Sequence, residues 1–256
     1  MARIGIIGGS GLDDPQLLAG ARDEAVTTPW GAPSSPLRHG RIEGVECLLL
    51  ARHGRAHTIP PSQVNNRANL HALKTAGCTH VLATTAVGSL RQEVGRGDLV
   101  VLDQFIDWTR GRAQSFHERF EPGQPVHTPM ADPFDARLRE RLIAAARALG
   151  LRHHPRGTVV TIEGPRFSTR AESRMLRSFG ADVVNMSTAP ECALANEAGL
   201  PYAAVAMATD YDSWKEDEPP VTWEEITRTF AANVEAVVSL LVRAIAALGA
   251  SPLDRT

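Results

Sequence analysis

The chain has few cysteines and almost no lysine. Its three cysteines, at positions 47, 78 and 192, are widely spaced and form no Cys-x-x-Cys pair. An odd number of cysteines in this arrangement argues against a disulfide scaffold or a zinc site and favours a reducing compartment. We therefore expect a cytoplasmic protein. Lysine occurs at positions 74 and 215 alone, so arginine carries most of the positive charge.

An excess of one charge and long apolar runs are absent as well. The formal net charge is −2, which provides no basic surface for nucleic acid or for an anionic membrane. The apolar run at the start of the sequence is short and broken by glycine, unlike a secretory signal. No uninterrupted apolar stretch reaches the length that spans a bilayer. We expect neither nucleic acid nor a membrane as a partner, so any bound anion must be held locally.

The pattern of the sequence predicts one α/β domain. The composition is 43% hydrophobic and 22% charged, which is usual for a globular protein. No repeat, low-complexity tract or linker divides the chain, which favours a single domain of residues 1–256. Hydrophobic periodicity and capping signals predict strands over 3–7, 37–42, 45–51, 81–83, 99–105, 159–162, 182–186 and from 202 to just before 210, and helices over 65–76, 134–149, 169–179, from 188 onwards and 222–248.

Two carboxylates follow the apolar run that begins at Tyr202. The run breaks at Asp210 and Asp212, and ligands of open α/β sheets bind outside the carboxyl ends of the strands. Two acids one residue apart raise each other's proton affinity in a desolvated pocket, because both cannot cheaply be ionised there. One of them is therefore a candidate proton donor near neutral pH. The alternative is a helix-capping Asp in a solvated loop.

Polar residues follow other predicted strands too. Gly8-Gly9-Ser10-Gly11 is either an anion cradle or a tight turn, and it fits neither a dinucleotide fingerprint nor a P-loop. The segment Arg52-His53-Gly54-Arg55-Ala56-His57 offers cationic groups that could grip an oxyanion, or forms a solvated basic loop. Thr84 to Ser89 is a hydroxyl-rich turn, and Met186 and Ser187 precede a helix N-terminus, where anions are favoured. We expect an anion site where these segments meet.

Residues 107–132 have no periodicity and are rich in Arg, His, Pro and Gly. A stretch of this length without regular structure is more often functional, or part of a subunit contact, than idle. His117 and His127 lie in it, and neither has a metal-ligand partner at helical spacing.

Six segments resemble the purine nucleoside phosphorylase family. They are Gly8-Gly9-Ser10-Gly11-Leu12, Arg52-His53-Gly54-Arg55-x-His57, Thr84-Thr85-Ala86-Val87-Gly88-Ser89-Leu90, Glu163-Gly164-Pro165-Arg166-Phe167-Ser168, Asn185-Met186-Ser187-Thr188-x-Pro190-Glu191 and residues 206–214. The last is similar to the branch of the family that acts on 5′-methylthioadenosine. The resemblance implies a single α/β domain with a mixed, partly closed β-sheet flanked by helices, usually a homotrimer, with no metal or organic cofactor and with inorganic phosphate as a co-substrate.

The resemblance also implies a role for each matching residue. Phosphate would be held by Ser10, Arg52, His53, Thr85, the Ala86 backbone and Ser187. The ribose would lie against Met186 and His57, and the purine against Phe167, Ser168, Asp210 and Asp212. The implied reaction is reversible phosphorolysis of 5′-methylthioadenosine to adenine and 5-methylthioribose 1-phosphate, a step of purine and methionine salvage. Asp210 would protonate N7 of the leaving purine as general acid, and Asp212 would accept from the exocyclic amine and keep its neighbour protonated.

Five positions bear on specificity. Family members that act on 6-oxopurines carry Asn in place of Asp210 and Glu in place of Ser168, so both positions favour 6-aminopurines. Trp223 stands where the branch usually has a small aliphatic residue, and with Ile226 it belongs to the helix that lines the 5′ end of the sugar. Trp223 either packs on the methylthio group, shrinks the pocket or is a hydrophobic staple without contact to substrate. His127 is expected to reach the 5′ pocket of a neighbouring subunit.

Three other functions remain open at this point. A hydrolase would need a water-activating acid in place of the anion-binding residues. A methylthioinosine or broader purine nucleoside phosphorylase would share those residues but should not combine Asp210 with Ser168. A nucleotide-binding regulator on the same fold would bind without turnover.

Overall fold

The computed structural model describes residues 2–8, 17–217 and 222–251. Within them the strands form one eleven-stranded sheet. The strands are β1 (Arg3–Gly8), β2 (Ala19–Glu24), β3 (Leu37–Ile42), β4 (Val45–Ala51), β5 (His80–Ser89), β6 (Leu99–Val101), β7 (Gln104–Trp108), β8 (His153–His154), β9 (Thr158–Ile162), β10 (Val183–Asn185) and β11 (Tyr202–Tyr211). The helices are α1 (Asn66–Thr75), α2 (Ala136–Ala148), α3 (Arg170–Ser178), α4 (Thr188–Glu197) and α5 (Trp223–Ala250), with a 3-10 turn at Pro61–Gln63.

The sheet is mixed and branches at β5. One edge of β5 pairs in parallel with β1 as far as Ala83, and then antiparallel with β10 from Gly88. The other edge pairs in parallel with β11 over most of its length. Beyond these strands, β1 leads to β4, β3 and β2, β10 leads to β9 and β7, and β11 leads to β6 and β8. The predicted α/β class, a mixed sheet flanked by helices, is confirmed.

Both faces of the central strands are buried, which explains their unbroken apolar sequence. In β11, Tyr202 and Ala204 pack in the core that includes residues of α1 and α4. The residues between them, Ala203 and Val205, pack in the core that includes residues of α2 and α5. Because successive side chains of a strand point to opposite faces, a strand covered on both sides is apolar at every position.

Several turns and helix caps formed as the local sequence predicts. The hairpin of β3 and β4 has the predicted bounds, and its turn residues Glu43 and Gly44 both have positive φ, as a tight two-residue turn requires. Thr169 and Glu172 make a reciprocal capping box at the start of α3. Thr222 accepts a hydrogen bond from the backbone N–H of Glu225 at the start of α5.

Three predicted strands differ from the structure by more than one residue. The strand predicted at 81–83 continues to Ser89, because β11 pairs with it along the whole segment. The strand predicted to end before Asp210 continues to Tyr211 through a bulge between Ala208 and Asp210. The strand predicted at 99–105 is two strands, because β6 pairs with β11 and β8 whereas β7 pairs with β9.

The bulge in β11 lies in its pairing with β5. On the opposite edge Gly97 donates its backbone N–H to Ala208, and Ala208 donates to Asp98, which continues the pairing with β6. The ladder resumes one residue late, and bulges of this kind turn the following side chain. Asp210 consequently belongs to the strand and lines a cavity.

The start of α4 differs in detail from the prediction. Thr188 and Glu191 were expected to open this helix as its capping residues. Ser187 is the N-cap instead and makes no side-chain capping bond. Thr188 accepts from Asn185, and Glu191 is fully buried against Arg52. These side chains serve tertiary contacts that the local sequence does not reveal.

The expectation about membrane-spanning length needs one correction. Helix α5 is long and apolar enough to cross a membrane by length and composition. It packs against α2 and β11, and its buried residues Val237, Leu240, Leu241, Ala244, Ile245 and Leu248 lie on one face. Spacing of this kind is typical of a helix that covers a sheet.

Candidate active site

A cavity of about 860 Å³ opens beside the middle of β5. Its walls come from the segment after β4, from β5, from the segments that follow β9 and β10, from the end of β11 and from the first three turns of α5. The predicted site residues that line it are Arg52, His53, His57, Thr85, Ala86, Phe167, Ser168, Met186, Ser187, Asp210, Asp212, Trp223 and Ile226. Residues more than 170 positions apart therefore meet in one place, as the strand-end argument expects. Ser10 lies outside the described residues.

The edge of β5 that faces β1 and β10 is open over Thr84 to Val87. No described strand pairs with these residues there, because β1 ends its pairing at Ala83 and β10 begins at Gly88. The Thr84 carbonyl on this edge accepts from Arg52 at 2.9 Å. Alternate residues of a strand direct their backbone groups to the same edge, so the N–H of Ala86 points the same way. An unpaired backbone N–H beside a cavity is suited to bind an anion.

Arg52 is buried in an ion pair that the sequence analysis missed. Its guanidinium makes two hydrogen bonds to Glu191, with Nε to Oε2 at 2.7 Å and Nη2 to Oε1 at 2.9 Å. Tyr202 donates its hydroxyl to the same Glu191 Oε1 at 2.7 Å. Burial alone would lower the pKa of Arg52, but Glu191 raises it above its ordinary value. The guanidinium is thus fixed in place, and Glu191 balances its charge.

His53 is a neutral group at this end of the cavity. Its Nδ1 lies 2.9 Å from the carbonyl oxygen of Ile59, which can only accept, so Nδ1 carries the proton and Nε2 has a free lone pair. Burial, with the positive charge of Arg52, lowers the pKa of His53 to about 4. His57 stacks near it, with ring centroids 4.7 Å apart, and adopts a positive φ of 51°.

The two carboxyls predicted to interact are both buried. Burial raises the pKa of Asp210 to about 7, and the nearby charge of Asp212 acts in the same direction, while a hydrogen bond from Thr209 opposes them. That bond joins Thr209 Oγ1 to Asp210 Oδ1 at 2.7 Å. Burial also raises the pKa of Asp212. Asp210 therefore carries a proton in much of the population near neutral pH, and the helix-capping alternative does not describe it.

The segment after β11 is tied to the predicted base-binding residues. The hydroxyl of Ser213 donates to the carbonyl of Ser168 at 2.7 Å, and the indole N–H of Trp214 donates to the carbonyl of Ser89 at 2.8 Å. Ser168 is buried, whereas Phe167 is 37% exposed at the cavity. These bonds hold the carboxyls and the Phe167 ring on the same wall.

The lack of a side chain at Gly88 leaves room for the Asp210 carboxyl. A β-carbon at Gly88 would lie 3.1 Å from Asp210 Oδ2 and 3.2 Å from both the Asp212 Cβ and the Val184 Cγ1. Gly88→Ala is expected to lower stability by about 1–3 kcal/mol through overpacking. Because it displaces the Asp210 carboxyl, it should also lower kcat by about 10- to 100-fold.

The measurement for Gly88→Ala is a thermal melt together with steady-state kinetics. Gly111→Ala is the matched control, since a β-carbon at Gly111 meets no atom within 4 Å. Wild-type kcat in Gly88→Ala would show that the carboxyl does not depend on this space.

The irregular segment after β7 holds the backbone of Met186. Arg112, whose side chain is 2% exposed, donates Nη1 to the Met186 carbonyl at 2.7 Å and Nε to Glu163 Oε1 at 3.0 Å. The other oxygen of Glu163 accepts from the backbone N–H groups of Arg110 and Gly111. Sequence analysis predicted that this segment is functional or part of a subunit contact but did not identify Arg112, since its partners lie more than 50 residues away.

The far end of the cavity is lined by one face of α5. Trp223 and Ile226 were predicted there, and Thr227, Phe230, Ala231 and Val234 join them. The spacing of three and four residues along one helix face is a signal that could have identified the additional residues. Trp223 is 51% exposed and its ring lies 5.5 Å from that of His57. It stands at the mouth of the cavity.

His127 is not among the described residues that line the cavity. It lies in the exposed part of the irregular segment, with its ring 5.7 Å from that of Phe120. Its expected contact with a neighbouring subunit stays a prediction.

Comparisons with known proteins show the family of the chain. The model of the phosphorylase superfamily matches residues 3–246. The S-methyl-5′-thioadenosine phosphorylase of Danio rerio is 55% identical over 249 residues, which cover 95% of this chain and 88% of that protein. The protein of the same name from Xenopus tropicalis is 53% identical, with 97% of this chain and 89% of that protein covered.

Solved structures resemble the whole chain as well. Methylthioadenosine phosphorylase from Schistosoma mansoni in complex with adenine has a TM-score of 0.93 and 45% identity, with 98% of this chain and 93% of that chain covered. A variant of the adenosine/methylthioadenosine phosphorylase of the same organism, in complex with methylthioadenosine, has a TM-score of 0.90 and 44% identity, with the same shares covered. By sequence, fold and cavity, this chain belongs to the phosphorylase superfamily, among the S-methyl-5′-thioadenosine phosphorylases.

Proposed function

We propose that this chain catalyses the reversible phosphorolysis of 5′-methylthioadenosine. A phosphate oxygen bonds to C1′ of the ribose while the bond from C1′ to N9 breaks, which gives 5-methylthioribose 1-phosphate and adenine. The proton that hydrogen phosphate loses on forming the ester balances the proton that adenine gains. The observation that carries the proposal is one cavity that joins a buried carboxyl with a pKa of about 7 to a group of anion-binding residues. The relatives named for this reaction support it.

The phosphate end of the cavity favours hydrogen phosphate. Arg52, the hydroxyls of Thr85 and Ser187 and the Ala86 N–H are the donors, with Ser10 as a further predicted donor. His53 is neutral, and its Nε2 is available to accept the P–OH hydrogen. Donors fixed in advance hold phosphate in attack geometry and stabilise the positive charge that develops on the ribose.

The purine end supplies the leaving-group proton. As the glycosidic bond breaks, electron density accumulates on the base, and the protonated Asp210 donates to N7. Proton donation of this kind accelerates a reaction by about 10²- to 10⁴-fold. Asp212 accepts from the exocyclic amine, and its nearby charge helps to keep Asp210 protonated.

The same atoms favour adenine over a 6-oxopurine. Adenine presents an amine donor beside the N7 acceptor, which a protonated carboxyl matches with one acceptor oxygen and one donor oxygen. A 6-oxopurine presents two acceptors there. Ser168 places a hydroxyl at the neighbouring position, where the family members that act on 6-oxopurines carry Glu.

The α5 face favours an apolar 5′ substituent. Ile226, Phe230 and Val234 line this part of the cavity, and burying a methylthio group against them is favourable in proportion to the apolar area removed from water. Trp223 at the mouth extends the apolar wall. A 5′-hydroxyl finds fewer partners on this surface and is expected to bind less well.

The remaining features of the proposal follow the family. The reaction requires inorganic phosphate as co-substrate and no metal or organic cofactor. The enzyme acts in the cytoplasm, in purine and methionine salvage, as a homotrimer. In that assembly the exposed part of the irregular segment, with His127, would approach the 5′ pocket of a neighbouring subunit.

Release of adenine from 5′-methylthioadenosine, measured with and without inorganic phosphate, tests the reaction. Adenine release that depends on phosphate, with 5-methylthioribose 1-phosphate as the second product, is the expected result. Adenosine and methylthioinosine as competing substrates report the 5′ and base preferences. Release at the same rate without phosphate would identify a hydrolase, and tight binding without turnover would identify a regulator.

A further inference from the structure

Asn185 lies behind the two hydroxyls that face the anion site. Its side-chain Nδ2 is 3.1 Å from Thr85 Oγ1 and 3.4 Å from Ser187 Oγ, and those two oxygens are 3.3 Å apart. All three side chains are buried and line the cavity. The resemblance that indicates the phosphate residues gives no role to Asn185, and the proposed mechanism has not used it.

The orientation of the Asn185 amide is fixed by its other partners. Its Oδ1 accepts from Thr161 Oγ1 at 2.8 Å and faces the backbone N–H groups of Ser187 and Thr188 at 3.4 and 3.5 Å. A backbone N–H can only donate, so the atom that faces it must be the amide oxygen. Thr161 Oγ1 itself accepts from the backbone N–H of Ala189 at 3.0 Å, which leaves its hydrogen for Asn185.

These bonds form a chain with a single direction. It begins at the Ala189 N–H in the first turn of α4, where the helix dipole is positive. It passes through the Thr161 hydroxyl to Asn185 Oδ1. The two Nδ2 hydrogens continue it, one to Thr188 Oγ1 at 2.6 Å and the other to Thr85 Oγ1 at 3.1 Å, with Ser187 Oγ beside it at 3.4 Å. Bonds in such a chain polarise one another and strengthen each successive donor.

We propose that Asn185 is a positioning residue that makes the Thr85 and Ser187 hydroxyls donors to the anion. Because Nδ2 donates from the protein side, the oxygen lone pairs on that side are occupied. The Thr85 hydrogen, which is directed to the Ala86 carbonyl at 3.1 Å, and the Ser187 hydrogen are then the groups that turn to a phosphate oxygen. A carboxylate at the same position would accept those hydrogens and turn the hydroxyl lone pairs towards the anion. The inference rests on the proposed function, since it deepens the assignment of this end of the cavity to phosphate.

The direct test is Asn185→Asp, which keeps the shape and reverses the polarity. The KM for phosphate should rise by about 10- to 100-fold, the range expected when hydrogen bonds to a charged group are lost. The KM for the nucleoside should stay within about threefold of wild type, since the group acts at the phosphate end. A purely structural role would lower Tm and kcat without separating the two KM values.

Two threonine variants test the direction of the hydrogen bonds without adding a charge, as Asn185→Asp does. Thr161 and Thr188 are equally buried and both bond to Asn185, with Thr188 Oγ1 2.6 Å from Nδ2. Neither is among the described residues that line the cavity. Thr161→Val removes the hydroxyl that donates to Asn185 Oδ1, so the KM for phosphate should rise by about 3- to 10-fold. Thr188→Val removes an acceptor of Asn185 that does not line the cavity, so it should lower Tm without changing this KM.

The outcomes are distinguishable from a failure of the proposed function. If wild-type adenine release does not depend on phosphate, the proposed function itself is wrong. If wild type depends on phosphate and Asn185→Asp leaves its KM within twofold, the inference alone is wrong. Equal effects of Thr161→Val and Thr188→Val on the KM for phosphate would also overturn it.

Discussion

Replacing Asp210 with Asn is expected to lower kcat/KM for 5′-methylthioadenosine by about 10²- to 10⁴-fold. The amide keeps the shape of the carboxyl but cannot transfer a proton to N7. An amide N–H₂ can still donate to the 6-oxygen of a 6-oxopurine, so the loss for methylthioinosine should be smaller. The preference between the two nucleosides should therefore shift towards methylthioinosine.

Steady-state kinetics with both nucleosides, at saturating phosphate, measures this shift. Asp212→Asn is the matched control, because Asp212 is equally buried and lies one residue from the proposed acid. It should lower the rate less, since it removes an acceptor for the exocyclic amine and leaves the proton donor in place. An unchanged nucleoside preference in Asp210→Asn would contradict the role assigned to Asp210.

Replacing Glu191 with Gln is expected to have the largest effect on stability. Arg52 is 2% exposed and pairs with Glu191, so Gln leaves a buried positive charge without its counterion. Breaking a buried pair from one side costs about 3–5 kcal/mol, which lowers Tm by roughly 10 °C. The guanidinium also loses the partner that fixes its position, so the KM for phosphate should rise.

Thermal denaturation and the KM for phosphate are the two readouts for Glu191→Gln. Tyr202→Phe is the control, since it removes the hydroxyl that donates to Glu191 and leaves the charge pair intact. It should cost about 1.5–3 kcal/mol, the usual loss for one hydrogen bond to a charged group. Wild-type stability in Glu191→Gln would mean that the pair does not hold Arg52.

The sequence predicted the parts of the fold that depend on neighbouring residues. The Glu43–Gly44 turn and the Thr169–Glu172 capping box formed as expected, because both are decided within four residues. The sites at strand ends were located for a similar reason, since apolar runs followed by polar residues mark where buried strands emerge. The cavity brings together most of the residues that this reasoning identified.

What the sequence did not predict depends on distant partners. Glu191 has the local pattern of a helix cap, yet it pairs with Arg52, which lies 139 residues away. The bulge in β11 before Asp210 is a feature of its pairing with β5, a strand more than 100 residues earlier. Arg112 has no regular pattern around it, and its role follows from contacts with Glu163 and Met186. Such pairings need the three-dimensional structure.

The central claim is that a buried Asp210 holds the proton that the leaving purine receives. The most direct test is the pH dependence of kcat/KM for 5′-methylthioadenosine at saturating phosphate, in wild type and in Asp210→Asn. The pKa of Asp210 is raised to about 7, and the acid acts in its protonated form. Wild-type kcat/KM should therefore be highest below this pKa and fall as the pH rises through it. Phosphate titrates in the same range in both proteins, so the difference between the profiles belongs to Asp210. The account predicts that the falling limb is lost in Asp210→Asn, and superimposable profiles would contradict it.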